Sequence, residues 1–143
     1  MLCVGIRRRH GYADAMQTIA RQWEDFRALG SIAGARDGVV YGIQCGAGSQ
    51  DFEYMTAVEV ADFAHASSDL GRIRVPAQKY AVFAVPHARA VPQTWMSIWN
   101  EWLPRSAFAL ANRPEFERYP DGFATWDTTP RIEIWASIVD RTS

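Results

Sequence analysis

Apolar and polar positions along this 143-residue chain follow two periods, which predict an alternation of strands and helices. The apolar run 2–6 is too short for a helix and predicts a buried strand. Over 12–29 the apolar positions recur in steps of three and four, which predicts an amphipathic helix that ends at Gly30. The β-rich runs 39–45 and 52–60 follow, and the glycines between them predict a hairpin with a longer loop.

Residues 61–75 are small and polar, and they predict a connection with room for one helical turn before the pattern starts again. Pro92 suits the first turn of a helix, where its missing N–H loses no partner, and Pro104 predicts the end of that helix soon after Leu103. The other elements of this second half are strands over 78–85, 115–119 and 131–139.

The predicted order is therefore strand, helix, strand, strand, twice over. The last strands of the two halves also align weakly, with Phe52-Glu53-Tyr54-Met55 over Ile132-Glu133-Ile134-Trp135. Each half alone leaves one sheet face bare, so we expect one α+β fold of duplicated strand-helix-strand-strand modules. It has an antiparallel sheet, two main helices on one face and a central ligand cleft. The predicted boundaries are one domain, 1–143, with module one at about 1–60, a linker at 61–75 and module two at 76–143.

Composition excludes several classes of function. The net charge of −1 argues against direct binding of nucleic acid, which needs a basic face. No apolar run approaches the ~20 residues that span a bilayer, and no secretory signal opens the chain, so we expect a cytoplasmic protein with no membrane partner. Cys3 and Cys45 are expected to be reduced, and the histidines show no ligand spacing with them. The sequence therefore predicts no metal and no cofactor.

Three further motifs are weak. The run Arg7-Arg8-Arg9-His10 predicts a solvated strand end in a chain of this net charge. Gly46-Ala47-Gly48 lacks the lysine and the following helix of a phosphate loop. A catalytic Ser/His/Asp set is obtained only by arbitrary choice, from Ser106, His87 and Asp127.

Tryptophan is distributed unevenly, with five of the six residues in the last third of the chain: Trp95, Trp99, Trp102, Trp126 and Trp135. The spacing of Trp95, Trp99 and Trp102 places them on one helix face. Such a stripe is usually core, but three indoles exceed what a two-layer core of this size needs. We therefore expect Trp99 and Trp102 to form a pocket wall, with Trp95 and Trp135 beside them. Trp23 is expected to be core, and Trp126 has no assigned role.

Several segments resemble the GyrI-like small-molecule-binding domain, which is also the effector-binding half of AraC-type and MerR-type regulators. They include Val4-Gly5-Ile6-Arg7-Arg8, the run 52–60, and above all Ile98-Trp99-Asn100-Glu101-Trp102-Leu103-Pro104-Arg105-Ser106 followed by Pro114-Glu115-Phe116-Glu117-Arg118-Tyr119. The resemblance covers essentially the whole chain. The chain departs from the family at Ala107, where glycine is frequent, and at Ser137, where proline is common.

The resemblance implies a central aromatic pocket with a buried glutamate, and Glu117 matches that position. A carboxylate walled by aromatic rings is costly to keep charged unless a cation or hydrogen-bond donors accompany it. The alternative is a surface glutamate paired with Arg118 or Arg113. Glu53 and Glu133 are expected to be solvated at sheet edges. The candidate ligand-binding residues are Glu117, Trp99, Trp102, Tyr54, Tyr80, Trp135, Trp95, Glu59 and Tyr119.

The resemblance favours a stand-alone domain that binds hydrophobic small molecules, cations included, with a lipophilic or aromatic small molecule as partner. One alternative is a hydrolase that opens cyclopropane rings of DNA-alkylating natural products, with Glu117 as the catalytic residue. A second alternative is a protein inhibitor of the gyrase-inhibitor type. A homodimer is left open.

Overall fold

Strands and helices alternate along the chain much as the pattern predicts. The computed structural model describes residues 1–120 and 131–142. In this part the elements are β1 (Leu2–Gly11), α1 (Ala15–Ala28), β2 (Val40–Ala47), β3 (Asp51–Val60), β4 (Gly71–Arg74), β5 (Tyr80–Val85), α2 (Val91–Ser97), a π-helical turn (Ile98–Trp102), α3 (Leu103–Arg105), β6 (Phe108–Leu110), β7 (Glu115–Tyr119) and β8 (Ile132–Asp140).

The strands form one antiparallel sheet in the order β4-β1-β3-β2-β7-β8-β5, and β6 pairs with β8. The order β1-β3-β2 on one side of the centre matches β5-β8-β7 on the other, so the pair β2–β7 joins two equivalent halves. This symmetry confirms the predicted α+β fold of duplicated strand-helix-strand-strand modules.

Both main helices cover the same face of the sheet. Trp23 and Phe26 of α1 and Trp95 and Ile98 from the second helical segment belong to one apolar cluster. Because successive strand residues point to opposite faces, β8 contributes to both sides of the sheet. Its Ile132, Ile134 and Ala136 join the cluster under the helices, whereas Trp135 packs on the other face with Cys3, Ile43, Met55 and Phe116.

The connection 75–79 requires the sheet to curl. It joins β4 at one edge to β5 at the opposite edge. Six interstrand spacings of about 4.8 Å separate these strands in a flat sheet, or about 29 Å, whereas the six residue steps from Arg74 to Tyr80 span at most about 22 Å. Backbone bonds attach both ends of the connection, from Val75 N to Met1 O at 2.7 Å and from Ile138 N to Lys79 O at 3.2 Å.

One predicted strand boundary and one predicted environment of acidic residues are wrong for physical reasons. β1 continues to Gly11 because its arginines find acidic partners, at 2.7 Å for Arg7 with Glu53 and 2.8 Å for Arg8 with Asp25. The basic run therefore lies within the strand. Glu53 and Glu133 lie on interior strands of the sheet, beside Arg7 and Arg118, so their prediction as edge residues is also wrong.

Two short strands were missed. β4 lies inside the predicted connection 61–75 and pairs with β1, and β6 lies inside the predicted loop before 115–119. Their four and three residues are too few to show a period. Within the described ranges, no helix combines the length and the apolar character needed to cross a bilayer.

The π-helical turn changes the predicted tryptophan stripe. A π turn closes i→i+5 bonds and is wider than an α turn, so residues after it are rotated about the helix axis. Trp95 and Trp99 stay together, with stacked rings 5.1 Å apart. Trp102 packs on Phe83 and Phe108, at 5.0 Å and 6.1 Å between ring centroids. All three indoles still pack against the apolar cluster under the helices, but Trp102 has ring partners of its own instead of joining the Trp95–Trp99 stack.

Candidate functional site

Glu117 lies at the centre of the sheet, on β7, and is only 4% exposed. Its Oε1 accepts hydrogen bonds from Tyr54 Oη at 2.8 Å and Tyr119 Oη at 2.9 Å. Its Oε2 accepts a hydrogen bond from Trp95 Nε1 at 2.9 Å. These three aromatic donors come from β3, β7 and α2, so both modules contribute to the surroundings of one carboxyl group.

Burial raises the pKa of Glu117, and the hydrogen bonds from Tyr54, Trp95 and Tyr119 oppose this rise without cancelling it. The same environment places the pKa values of Tyr54 and Tyr119 well above the ordinary value for tyrosine, chiefly through burial. Arg118 lies 3.9 Å from Glu133 instead of Glu117. The alternative of a surface glutamate paired with its neighbouring arginine is therefore wrong.

Gly42 makes the contact between Tyr54 and Glu117 possible. It is the register partner of Glu117 on β2. A Cβ atom at this position would lie 1.9 Å from Tyr54 Oη and 2.8 Å from Glu117 Oε1, closer than atoms can approach. The sequence analysis did not find this residue, because only the strand pairing shows which glycine lies opposite the carboxylate.

Trp23 forms part of the aromatic surroundings instead of the core alone. Its ring packs edge-on against Tyr119 at 5.4 Å and Tyr54 at 6.3 Å. Burial raises the pKa of the Tyr54 hydroxyl, and the hydrogen bond between Trp23 and Tyr54 acts in the opposite direction. The Glu117 site is defined here as Glu117 with Tyr54, Tyr119, Trp95 and Trp23.

A buried polar network missed at the sequence level supports Tyr54 from behind. Gln22 of α1 is fully buried, and its Nε2 donates to the backbone oxygens of Tyr54 and Ile6, at 3.0 Å and 2.8 Å. Its Oε1 is bonded to His10 Nε2 at 2.5 Å, and His10 Nδ1 is bonded to Thr18 at 2.7 Å. The network attaches α1 to β1 and β3 next to the site.

Three of the candidate ligand-binding residues, Tyr80, Trp135 and Glu59, lie away from Glu117, and Trp102 is not among its hydrogen-bond donors. Tyr80 and Trp135 pack together at 5.5 Å on the opposite face of the sheet. Glu59 lies 3.9 Å from Arg36. Trp102 contacts Phe83, as described above. The tryptophans Trp95, Trp99, Trp102 and Trp135 therefore do not form the single wall that was expected. Trp126 and Asp127 lie outside the described residues.

A cavity of about 360 Å³ lies beside the π-helical turn, a volume at the lower end of the range for small-molecule sites. Its lining is Phe83, Thr94, Ser97, Ile98, Glu101, Trp102, Arg105 and Ser106, and does not include Glu117. Glu117 is enclosed by its aromatic neighbours, so a ligand reaches it only when some of those rings part. Among residues 1–120 and 131–142 there is no cluster of three or more metal-ligating side chains.

The comparison with known families agrees with the fold. A family described as "Cass2: Integron-associated effector binding protein" matches residues 1–138. This chain belongs to the Cass2 family. Its membership confirms the resemblance to GyrI-like small-molecule-binding domains and makes the chain an effector-binding domain.

Individual relatives of this Cass2-family chain include solved structures and a regulator. SAV2435 bound to tetraphenylphosphonium has a TM-score of 0.77 and 25% identity, over 97% of this chain and 88% of that one. The integron cassette protein VCH_CASS2 of Vibrio cholerae shares the fold, with a TM-score of 0.71 and 21% identity over 97% and 90%. The transcriptional regulator BrlR of Pseudomonas aeruginosa is 30% identical over 127 residues, 85% of this chain but 46% of BrlR. The chain thus spans less than half of that relative.

Proposed function

We propose that this protein binds lipophilic aromatic small molecules at the Glu117 site, with monovalent cations as its preferred ligands. The observation that carries the proposal is the buried Glu117 carboxyl, which contacts three neutral donors. No Lys, Arg or His in the described part of the chain forms an ion pair with it. The site therefore holds an acidic group without a countercharge of its own.

A lipophilic cation supplies what this site lacks. An isolated buried carboxylate is costly, and a positive charge held close to it removes much of that cost. The surrounding indole and phenol rings add attraction, because a cation over an aromatic face gains about 0.5–2 kcal/mol. The tetraphenylphosphonium in the structure of SAV2435 is a ligand of this chemical class.

The enclosure of Glu117 implies that binding is coupled to a rearrangement of rings. Trp95 is 4% exposed, and Trp99 stacks on it and is partly exposed. A ligand that enters from this side must separate the stack from the sheet. Tryptophan fluorescence is therefore a suitable signal for binding.

Titration with tetraphenylphosphonium, followed by tryptophan fluorescence and by calorimetry, tests the proposal. We expect saturable binding that weakens at least tenfold in Glu117→Gln, because the neutral amide removes the attraction to the cation. The amide fits the site, since its oxygen can accept from Trp95 and its NH₂ can donate to the tyrosine hydroxyls. Glu59→Gln, which changes a carboxylate outside the site, should bind like the wild type. Equal affinities in wild type and Glu117→Gln would refute the role of the charge.

The hydrolase and the gyrase-inhibitor alternatives stay predictions, and no observation in the described residues favours either. The hydrolase alternative uses the same carboxyl group. The test is to incubate the protein with a cyclopropane-bearing alkylator and to follow the mass of the alkylator. Ring opening by water would increase that mass.

A further inference from the structure

The cavity beside the π-helical turn is separate from the Glu117 site. One wall comes from the stretch 94–106, and Phe83 of β5 contributes to the other. β5 is an edge strand, and β8 lies between it and β7, which carries Glu117. Two interstrand spacings, about 10 Å, therefore separate the strands that contribute to the two places. No side chain of the Glu117 site lines the cavity, so a ligand held here needs binding groups of its own.

Glu101 and Arg105 line this cavity as an acid and a base that are not paired with each other. They are four positions apart, the spacing at which opposite charges attract each other on a regular α-helix. The π-helical turn Ile98–Trp102 contains Glu101, and its i→i+5 bonds change that spacing. Across residues 1–120 and 131–142, no ion pair involves either side chain. Both charges are therefore available to a ligand.

The two ends of the cavity differ in charge. Four residue steps advance roughly 5–6 Å along a helix, so Glu101 and Arg105 lie about one turn apart. Ser97 adds a hydroxyl on the Glu101 side, and this hydroxyl has no hydrogen bond to any described residue. On the Arg105 side, the guanidinium of Arg141 donates to the backbone oxygen of Ser106 at 3.1 Å. One end therefore attracts a cationic group and the other an anionic group.

The floor of the cavity is apolar and largely aromatic. Phe83 and Trp102 meet edge to face with their ring centroids 5.0 Å apart, and Ile98 packs beside them. Both rings are only partly buried, so they keep apolar surface for a further contact. The volume of about 360 Å³ suits one small molecule. A flat apolar group is therefore the expected third part of a ligand.

We propose that this cavity binds α-amino acids with an aromatic side chain in their zwitterionic form. The ammonium group pairs with Glu101, and the carboxylate pairs with Arg105, whose planar guanidinium can donate two parallel hydrogen bonds. The ring of the ligand lies on Phe83 and Trp102. In an α-amino acid these three groups extend from one carbon atom, and their three partners surround one cavity. The inference adds a second ligand to the protein and goes beyond the proposed function.

A titration with L-phenylalanine, followed by heteronuclear NMR, tests this proposal. The indole signal of Trp102 and the amide signals of Ser97 and Arg105 report on the cavity, whereas the Trp95 indole reports on the Glu117 site. We expect saturable shifts of the cavity signals. Phenethylammonium lacks the carboxylate, and phenylpropanoate lacks the ammonium group. Each should bind more weakly than L-phenylalanine by at least about threefold, because each loses one ion pair.

Two variants assign the two charges separately. Glu101→Gln should weaken L-phenylalanine and phenethylammonium by at least about threefold without weakening phenylpropanoate. Arg105→Gln should weaken L-phenylalanine and phenylpropanoate to a similar extent without weakening phenethylammonium. Both side chains are exposed and form no ion pair in the described ranges, so these variants should fold like the wild type. Glu24→Gln and Arg21→Gln change exposed charges on α1 and are the matched controls, which should bind L-phenylalanine like the wild type.

Tetraphenylphosphonium at saturation separates this inference from the proposed function. It should shift the Trp95 indole signal and leave the affinity of the cavity for L-phenylalanine unchanged. Displacement of L-phenylalanine by tetraphenylphosphonium would show a shared site and overturn the inference. Cavity signals that do not shift with L-phenylalanine, or equal affinities in wild type, Glu101→Gln and Arg105→Gln, overturn it as well, although tetraphenylphosphonium still binds. A protein that binds L-phenylalanine but not tetraphenylphosphonium contradicts the proposed function alone.

Discussion

Gly42→Ala is the substitution that most directly tests the geometry of the site. The new Cβ would lie 1.9 Å from Tyr54 Oη, whereas ordinary contact begins at 3.4 Å. The hydroxyl must therefore retreat by roughly 1.5 Å, which is enough to break a 2.8 Å hydrogen bond to Glu117. Tyr54 is 2% exposed, so its retreat would push the ring against packed neighbours.

The expected loss of stability follows from these two effects. Forcing extra volume into a packed core costs about 1–3 kcal/mol. A lost hydrogen bond to an ionised group adds about 1.5–3 kcal/mol. We expect Gly42→Ala to lower the free energy of unfolding by about 3–5 kcal/mol, a large part of the 5–15 kcal/mol that is usual for a domain.

Urea unfolding followed by tryptophan fluorescence measures this change. Gly46→Ala is the control on the same strand, because its Cβ would meet only Glu53 Oε2 at 3.8 Å, an ordinary contact. It should change stability by less than about 0.5 kcal/mol. In the double variant Gly42→Ala/Tyr54→Phe the clashing hydroxyl is absent. The double variant should therefore lose less free energy of unfolding than the two single variants lose together. An additive double variant, or a Gly42→Ala protein as stable as wild type, would refute the proposed contact.

Three further predictions concern pH and the polar network. Because burial raises the pKa of Glu117, a proton competes with the cationic ligand for the carboxylate. The affinity for tetraphenylphosphonium should therefore rise with pH in wild type and stay constant in Glu117→Gln. Calorimetry at several pH values checks this. Burial raises the pKa of Glu115 from 4.5 to about 7. The native state therefore keeps the Glu115 proton to a higher pH than the unfolded state does. The stability that this difference contributes should be lost as pH rises from about 4.5 to about 7. The difference between wild type and Glu115→Gln in urea unfolding isolates that slope, and a parallel pH dependence of both would contradict it. Gln22→Leu leaves His10 and two backbone oxygens without their partner and should cost about 2–4 kcal/mol, whereas Gln17→Leu, on the exposed side of α1, should change little.

The sequence predicted those features of the fold that depend on local period. The amphipathic pattern of α1 and the alternation in β8 are properties of neighbouring residues. They placed Trp23 on the buried face of α1 and Trp135 opposite Ile132, Ile134 and Ala136, as the structure does. The extent of β1 was not predictable in this way, because its arginines are stabilised in the strand by acids on β3 and α1.

The site depended more on resemblance than on pattern. The spacing of the tryptophans predicted one face because it assumes an α-helical period, and the π-helical turn at Ile98–Trp102 breaks that period. Nothing in the segment itself marks the turn. The residues that hold Tyr54, namely Gln22 and His10, are twelve positions apart in sequence and meet only because α1 packs on β1. Their role follows from tertiary packing, which a single sequence does not display.

The position of Glu117 also explains why a duplicated fold can hold a single acidic site. Glu117 and Gly42 are direct register partners across β2–β7, the seam at which the two halves of the sheet meet. Two carboxylates facing each other there would repel and would compete for the same donors. One half instead supplies the carboxylate, and the other supplies a residue with no side chain together with Tyr54, which fills the space that Gly42 leaves. The loss of symmetry at this one pair therefore creates the site, and the symmetry of the rest of the sheet places it at the centre, where neither half alone could enclose it.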